Sequence, residues 1–289
     1  MAYKKKILLQ LDSDPVASSF DAIVAVDSGI DQLLPYGGVT PENIQGLVHG
    51  AMFTRGGNDL ASTAIFLGGS NVAKVQANLF AVTSTFFGPV RVSVMIDPNG
   101  CNTTAVAAFL SAKKHSQLQG NRVIVLGGTG PVGSRIATLA ASAGNEVTIV
   151  SRSESRASQT ASDIAMYIAD SKVVGIGSDS GESTLELVQR HDVVFTAGAA
   201  GVQFLPDGWL DNPGEVVVAI DCNAVPPEGL GGVSAMDKAK QVGFTTVYGA
   251  VGIGGLKMKI HKRCIAKLFE KNDLILDLNE IFHVAATIE

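Results

Sequence analysis

The sequence predicts an α/β protein of two domains, each built on a parallel sheet. Short apolar runs of strand length alternate with stretches of helical spacing along the chain. The alternation restarts near residue 115, and a glycine-rich turn follows the first apolar run of the second series. With 289 residues, at ~100–200 residues per domain, there is chain enough for one large or two ordinary domains.

In the first series, residues 6–11 are strand-like by length, and helical spacing follows at Phe20, Ile23, Val24 and Asp27. Thr40-Pro41 reads as a helix start, Thr as N-cap and Pro at the first helical position, leading into Ile44, Leu47 and Val48. Residues 62–67 form the next strand, bounded by Gly68-Gly69. Residues 71–86 carry helical spacing at Val72, Val75, Leu79 and Val82, and residues 90–96 close the series as a strand. Asp97-Pro98-Asn99-Gly100 punctuates the exit, and a helix begins over residues 102–110 and is ended by Gly120.

The second series reads as strands at 122–126, 146–150, 173–176, 193–196, 216–220 and 246–248. Helices are expected at 131–143, 154–169 and 185–190, enough for a complete dinucleotide-binding unit of the Rossmann type. Residues 256–269 and 276–286 read as closing helices.

Composition excludes several classes of function. Net charge is −5, so no whole-protein field draws the chain to nucleic acid or to an anionic membrane. Hydrophobic residues make up 46% and charged residues only 17%, which provides for a large core, yet no stretch reaches the ~18 apolar residues of a membrane span. Cys101, Cys222 and Cys264 are odd in number and lack CxxC spacing, which argues against a disulfide framework and a zinc site. No metal is expected, and a cytoplasmic location fits best.

Gly128, Gly130 and Gly133 give GxGxxG in Gly127-Gly128-Thr129-Gly130-Pro131-Val132-Gly133, after an apolar strand and at the opening of a helix. In this reading Gly128 makes the tight turn, Gly130 lets backbone approach a pyrophosphate, and Gly133 lets the helix pack on the strand. The second strand ends Ser151-Arg152-Ser153, with Arg156 one turn on, where an NAD site usually carries a carboxylate for the ribose hydroxyls. Guanidinium groups there favour a 2′-phosphate, hence NADP. Ala197-Gly198-Ala199 leaves the fourth strand at the switch point, where small residues let a flat ring lie against backbone. Asp221-Cys222-Asn223, running on to Pro226-Pro227, leaves the next strand toward the same edge, as a rigid turn or as part of the cleft.

Gly252-Ile253-Gly254-Gly255-Leu256-Lys257 reads as a second glycine-rich turn before a helix. Lys257 would then stand in a first helical turn, against the macrodipole, and needs another reason to be there. Lys259, Lys262, Arg263 and Lys267 lack interleaved aromatics and read as a solvated helix face, while His261 and Cys264 read as packing.

Taken together, the chain resembles the NADP-dependent methylene-tetrahydromethanopterin/methylene-tetrahydrofolate dehydrogenases of methylotrophic and related bacteria. The resemblance is collinear over essentially the whole chain. It is carried by Tyr36-Gly37-Gly38-Val39-Thr40-Pro41-Glu42-Asn43, Thr54-Arg55-Gly56-Gly57, Ser62-Thr63-Ala64-Ile65-Phe66, Phe86-Phe87-Gly88-Pro89 and Asn99-Gly100-Cys101-Asn102-Thr103-Thr104-Ala105. The glycine-rich segment at 128–133, Phe195-Thr196-Ala197-Gly198-Ala199 and the segment at 252–257 complete it. Residues 173–182 and Cys222 depart from the family pattern, which bears on the preferred pterin.

The resemblance implies a pterin-binding α/β domain over residues 1–114, completed by C-terminal helices within 256–289, and a Rossmann NADP domain over 115–255, with a cleft between. It implies that a methylene carbon bridging two pterin nitrogens gives hydride to the nicotinamide. The methenyl cation that remains is shared by both nitrogens and no proton moves, so catalysis is mainly positioning and electrostatics. Asn99, Asn102 and Thr103 lie just beyond a strand end, where ligands of open α/β sheets bind, although Asn102 or Thr103 would also serve as a helix cap. Gly254 and Gly255 join the expected pterin site. Lys257 is expected to bond the pterin carbonyl or to pair with Asp97 or Asp21. A homo-oligomer is expected. An NADP dehydrogenase of another small substrate and a non-catalytic NADPH-sensing module are the alternatives.

Overall fold

The computed structural model describes residues 4–116, 119–178 and 181–288. The chain divides into two compact units, residues 1–103 with 258–289, and residues 104–257.

The first unit opens with β1 (Ile7–Asp12), α1 (Ser19–Asp27), β2 (Gln32–Tyr36), α2 (Ile44–Phe53), β3 (Thr63–Gly68), α3 (Val72–Thr85) and β4 (Ser93–Ile96). Helix α4 (Cys101–Lys113) then carries the chain out of it. The sheet order, edge to edge, is β2, β1, β3, β4 and a C-terminal strand described below, all parallel. Strands β3 and β4 are buried throughout, as expected of parallel strands covered on both faces. On one face Leu9, Leu11, Ile65, Leu67 and Val94 meet Ile44, Val48 and Met52 of α2 and Val75 of α3 in one core.

The second unit runs β5 (Arg122–Leu126), α5 (Pro131–Ser142), β6 (Glu146–Ser151), α6 (Glu154–Tyr167), β7 (Lys172–Gly177), α7 (Gly181–Val188) and β8 (Val193–Thr196). It continues with β9 (Val218–Asp221), β10 (Lys240–Val242), β11 (Thr245–Tyr248) and α8 (Ala250–Lys267), from which the chain returns to the first unit as β12 (Ile275–Leu276) and α9 (Leu278–Ala285). The sheet order β7-β6-β5-β8-β9-β11-β10 is parallel except for β10. The strand order reverses between β5 and β8, the point at which a doubly wound sheet opens a crevice beyond its carboxyl ends. At the amino ends, Arg122 bridges the strand starts with a bidentate pair to Asp192 and a further bond to Glu215.

Several expectations differ from what is found. The passage between units falls inside the uninterrupted helices α4 and α8 rather than near residue 115. Thr40 does not cap α2: residues 41–43 form a turn of their own, with Ile44 N–H donating to Thr40 O, and the helix starts at Ile44. Phe20 and Ile23 of α1 face outward, while Asp21, Val24 and Ala25 are buried. The 252–257 segment is no turn but lies within α8, which puts Lys257 in the third turn. Strands β2, β10 and β12 went unread, and Leu276 belongs to β12 instead of a helix.

Candidate active site

The first βα turn of the second unit leaves β5 at Leu126 and enters α5 through Gly130 as N-cap and Pro131 as the first helical residue, where a missing N–H costs nothing. The tight turn expected at Gly128 is made by Gly127. Its φ is +72°, and a Cβ there would stand 2.7 Å from Gly198 Cα. Gly128 is required for packing instead, since its Cβ would come within 2.9 Å of Val125 O and of Ile149 Cγ2. Gly133 lets α5 rest on the turn, a Cβ there falling 2.7 Å from Gly127 O.

A cleft opens over this turn. It is lined by Gly127, Thr129, Gly130, Ser151, Arg152, Arg156, Ala197, Gly198 and Ala199. Gly128, Pro131, Val132 and Gly133 are not among the described lining residues; Gly128 and Gly133 shape the turn through close packing. The β6 end places Arg152, exposed, beside the buried Ser151, and Ser153 caps α6 by accepting the Arg156 N–H. Among the described residues neither Arg152 nor Arg156 pairs with a carboxylate. Two guanidinium groups and the amino end of α5 therefore face one cleft, an arrangement that holds anions.

The cleft also takes Ser178, Gly181, Thr184, Val202, Gln203 and Phe204, which sequence reasoning missed. Ser178 follows Gly177, the register partner of Ser151, donating its N–H to Ser151 O and sharing hydroxyl bonds with Ser183 and Thr184. Phe204 lies against the Ala197–Ala199 turn so closely that a Cβ on Gly198 would stand 2.5 Å from its ring. A third βα turn rich in Ser and Gly was a usable signal for Ser178. Nothing in the local pattern marks Phe204.

In the first unit the carboxyl ends of β1, β3 and β4 gather three buried carboxylates. Asp12, absent from the expected set, accepts the N–H groups of Asp14 and Ser18. Asp21 stands with it beside Gly68: a Cβ there would be in ordinary contact with both, 3.4 Å from Asp12 Oδ2 and 3.7 Å from Asp21 Oδ2, and closest, at 3.1 Å, to the Phe66 ring. Asp97 accepts the N–H groups of Asn102 and Thr103 on Oδ1 and the Thr103 hydroxyl on Oδ2, so the helix start is capped by Asp97, neither by Asn102 nor by Thr103. Asn102 donates to Ile96 O at 2.7 Å and to Asp277 Oδ1 at 3.0 Å. Asp97, Asn102 and Thr103 are all fully buried. Their polar groups hold the start of α4 to the end of β4 and to Asp277. Asn99 is different: it is exposed, with φ +50°.

Lys257 is half-buried on α8, three residues after Gly254 and hence on the same helix face. A Cβ on Gly254 or on Gly255 would meet nothing within 4 Å, whereas one on Gly252 would strike Asp237 O at 1.9 Å. Only Gly252 is thus demanded by packing. No group of His, Cys, Asp and Glu able to hold a metal occurs among the described residues, and no described helix is long and apolar enough to cross a membrane.

The order of the second sheet, its glycine turn and its anion-holding cleft define a two-domain protein of the Rossmann-type dehydrogenase class. Solved structures of the same fold include 5-ketofructose reductase from Gluconobacter sp. (TM-score 0.58, 17% identical, covering 100% of each chain). Shikimate 5-dehydrogenase from Listeria monocytogenes is another (TM-score 0.58, 14% identical, covering 97% of this chain and 96% of that one). The N-terminal domain of methylene-tetrahydromethanopterin dehydrogenase matches residues 19–99. Bifunctional protein MdtA of Methylorubrum extorquens is 43% identical over 97% of this chain and 98% of its own. The NAD(P)-dependent methylenetetrahydromethanopterin dehydrogenase of the same organism is 30% identical over 94% of each. The chain belongs to the methylene-tetrahydromethanopterin dehydrogenase family, the one its collinear motifs resemble, and is an oxidoreductase.

Proposed function

We propose that the protein transfers a hydride reversibly between the methylene group of a tetrahydropterin and NADP. Both methylene-tetrahydromethanopterin and methylene-tetrahydrofolate carry the required methylene between two nitrogens. The observation that supports NADP is the pair Arg152 and Arg156, unpaired with any described carboxylate, beside Ser151 at the cleft over the Gly127–Gly133 turn. In this reading Gly127, Thr129, Gly130 and the start of α5, with Pro131, Val132 and Gly133, hold the pyrophosphate. Ser151, Arg152 and Arg156 hold the 2′-phosphate, and Ala197, Gly198 and Ala199 receive the nicotinamide riboside. Bound NADP supplies the hydride acceptor.

The residues of the chain then have only to bind and align, since the product cation is stabilised by the substrate's own nitrogens. Gly254 and Gly255 present bare helix on which a flat ring can lie, and Lys257, on the Gly254 face, reaches the ring's polar edge and fixes its angle. Asn99 and Asp21 contribute further contacts to the pterin. The protein acts in one-carbon oxidation, in the cytoplasm and as a homo-oligomer. Mixing the protein with NADP and methylene-tetrahydropterin should raise absorbance from reduced nicotinamide, and NAD in place of NADP should give a markedly smaller rate. Absence of reduction with either tetrahydropterin would defeat the proposal.

A further inference from the structure

In the first unit, a second cavity of about 500 Å³ lies along the edge strand β2, beneath α2. Its walls are apolar, chiefly Ile7, Leu9, Leu34 and Leu47. Tyr36, at the carboxyl end of β2 and paired in register with Leu11, closes one end of it. Thr63 opens β3 at the cavity, five residues from Gly68, or about 16 Å at ~3.3 Å per strand residue.

Three features mark it as a built site. Gly46 and Gly50 sit one turn apart on α2, on the face that lines the cavity, and a Cβ on either would meet nothing within 4 Å. Helix-interior glycine is unfavourable relative to alanine, and no neighbour demands it here, so the two glycines serve to keep the space open. Thr63 lines the same space, is 3% exposed, and its hydroxyl has no hydrogen-bond partner. A buried hydroxyl without a partner is costly. Arg55 lines the cavity as well. One guanidinium nitrogen, Nη1, is anchored on Lys5 O at 2.9 Å and Ser62 O at 2.6 Å, and among the described residues no carboxylate faces the group. The guanidinium is therefore held in place with Nε and Nη2 left to donate, the fork that matches a planar carboxylate.

We propose that this cavity binds an apolar monocarboxylic acid, with its hydrocarbon body between the β1–β2 side chains and the glycine face of α2 and its carboxylate on Arg55. A mostly apolar pocket of ~300–1,000 Å³ with a few converging polar groups is the usual form of a small-molecule site.

Octanoate serves as the probe, titrated calorimetrically into the full-length protein with 1-octanol as the uncharged control. Octanoate should bind saturably, and octanol at least about tenfold more weakly, the worth of a hydrogen-bonded charge. Gly50→Leu fills the cavity from a helix position with open space and better helix propensity, so it should fold and lose octanoate binding. Thr63→Val, of equal volume, should raise the thermal midpoint, because it removes the unsatisfied hydroxyl, and leave octanoate binding in place. NADP titration of each variant checks that the second unit is intact. Equal binding of octanoate and octanol, or octanoate binding unchanged in Gly50→Leu, overturns the proposal. So does an absence of octanoate binding to the parent protein; joined to a change of oligomeric state in Gly50→Leu, it would assign the groove to a second copy of this chain.

Discussion

The Thr196 hydroxyl donates to Asp221 Oδ1 across 2.6 Å, both residues being 1% exposed or less, and so ties the carboxyl end of β8 to that of β9. The same carboxylate accepts the N–H groups of Asn223, at 2.9 Å, and Leu230, at 3.1 Å. One buried side chain thus organises the loop that follows β9 and fixes the start of the Ala197–Ala199 turn lining the cleft. Asp221→Ala leaves three buried donors without an acceptor. It should lower the unfolding free energy by about 3 kcal/mol or more, at ~1–3 kcal/mol per unsatisfied group. Urea denaturation measures this, and a loss under 1 kcal/mol would show the loops to be held by other contacts.

For the cofactor, Arg152→Ala should weaken NADP binding by ~1.5–3 kcal/mol, the usual worth of a hydrogen bond to a charged group, and leave NAD affinity nearly unchanged. Arg156→Ala should give a smaller effect of the same kind, its side chain being one turn farther along α6. Fluorescence titration with both dinucleotides decides it. Equal losses for the two would place the arginines outside the 2′-phosphate site.

The strands and helices of the second unit were nearly all legible because its strands are buried apolar runs and its turns carry glycine. Strand β2 was not, since Gln32-Leu33-Leu34-Pro35-Tyr36 shows no alternation and contains a proline that an edge strand tolerates. Strand β12, two residues long, gives no pattern at all. The glycines at 252–255 misled in the other direction: glycine punctuates by default, yet Gly252 is present because Asp237 O crowds the helix there. The cleft residues at strand ends were readable by motif. Phe204 and Asp12 were not, because what places Phe204 is the tertiary approach of a loop, and what holds Asp12 is its bonds to the N–H groups of Asp14 and Ser18 after the strand.

Asn102 illustrates how burial changes an expected magnitude. A simple helix cap is worth ~1 kcal/mol, but Asn102 bonds a main-chain carbonyl at the end of β4 and the Asp277 carboxylate that caps α9. Asn102→Ala should therefore cost about 2–3 kcal/mol, because a buried carbonyl and a carboxylate each lose a donor. Chemical denaturation should show this loss, with KM for the pterin in the folded fraction essentially unchanged. A large rise in KM at unaltered stability would restore Asn102 as a direct ligand contact.

His191 gives the second unit a pH dependence. Burial pushes its imidazole below the ordinary value of 6.5, outweighing the opposing bond to Leu187 O. The carbonyl can only accept, so the neutral ring carries its proton on Nδ1 at 2.7 Å from Leu187 O, and Nε2 accepts the Thr148 hydroxyl at 2.9 Å. With the folded pKa below the unfolded one, the unfolded chain takes up the proton first. The contribution is complete above about pH 6.5 and is lost as pH falls below it toward the folded value. Urea midpoints measured from pH 7.5 down to about 5 should fall less steeply in His191→Gln than in the parent. Parallel profiles would exclude His191 as a source of the slope.

Lys257 is the residue on which the proposed chemistry depends most. It stands in the third turn of α8, so the helix dipole at the amino end offers no account of it in either direction. An ammonium beside the reacting carbon would oppose formation of a methenyl cation, which excludes a bare positive charge at that point. In the proposed reading the ring lies instead on the helix surface at Gly254, on the same face, where a Cβ would meet nothing within 4 Å, with the lysine bonding its carbonyl edge and so setting the angle at which hydride leaves. Angular misplacement of two reacting rings is costly, and Lys257→Ala should lower kcat/KM for the pterin by ~100-fold or more. NADP affinity should stay within a few-fold. Lys257→Arg, which keeps a donor but alters its reach, should recover part of the loss without restoring it. Steady-state kinetics with both tetrahydropterins measures these effects, and full turnover in a folded Lys257→Ala protein would make the lysine a bystander and leave alignment to Asn99, Asp21 and the glycine surface.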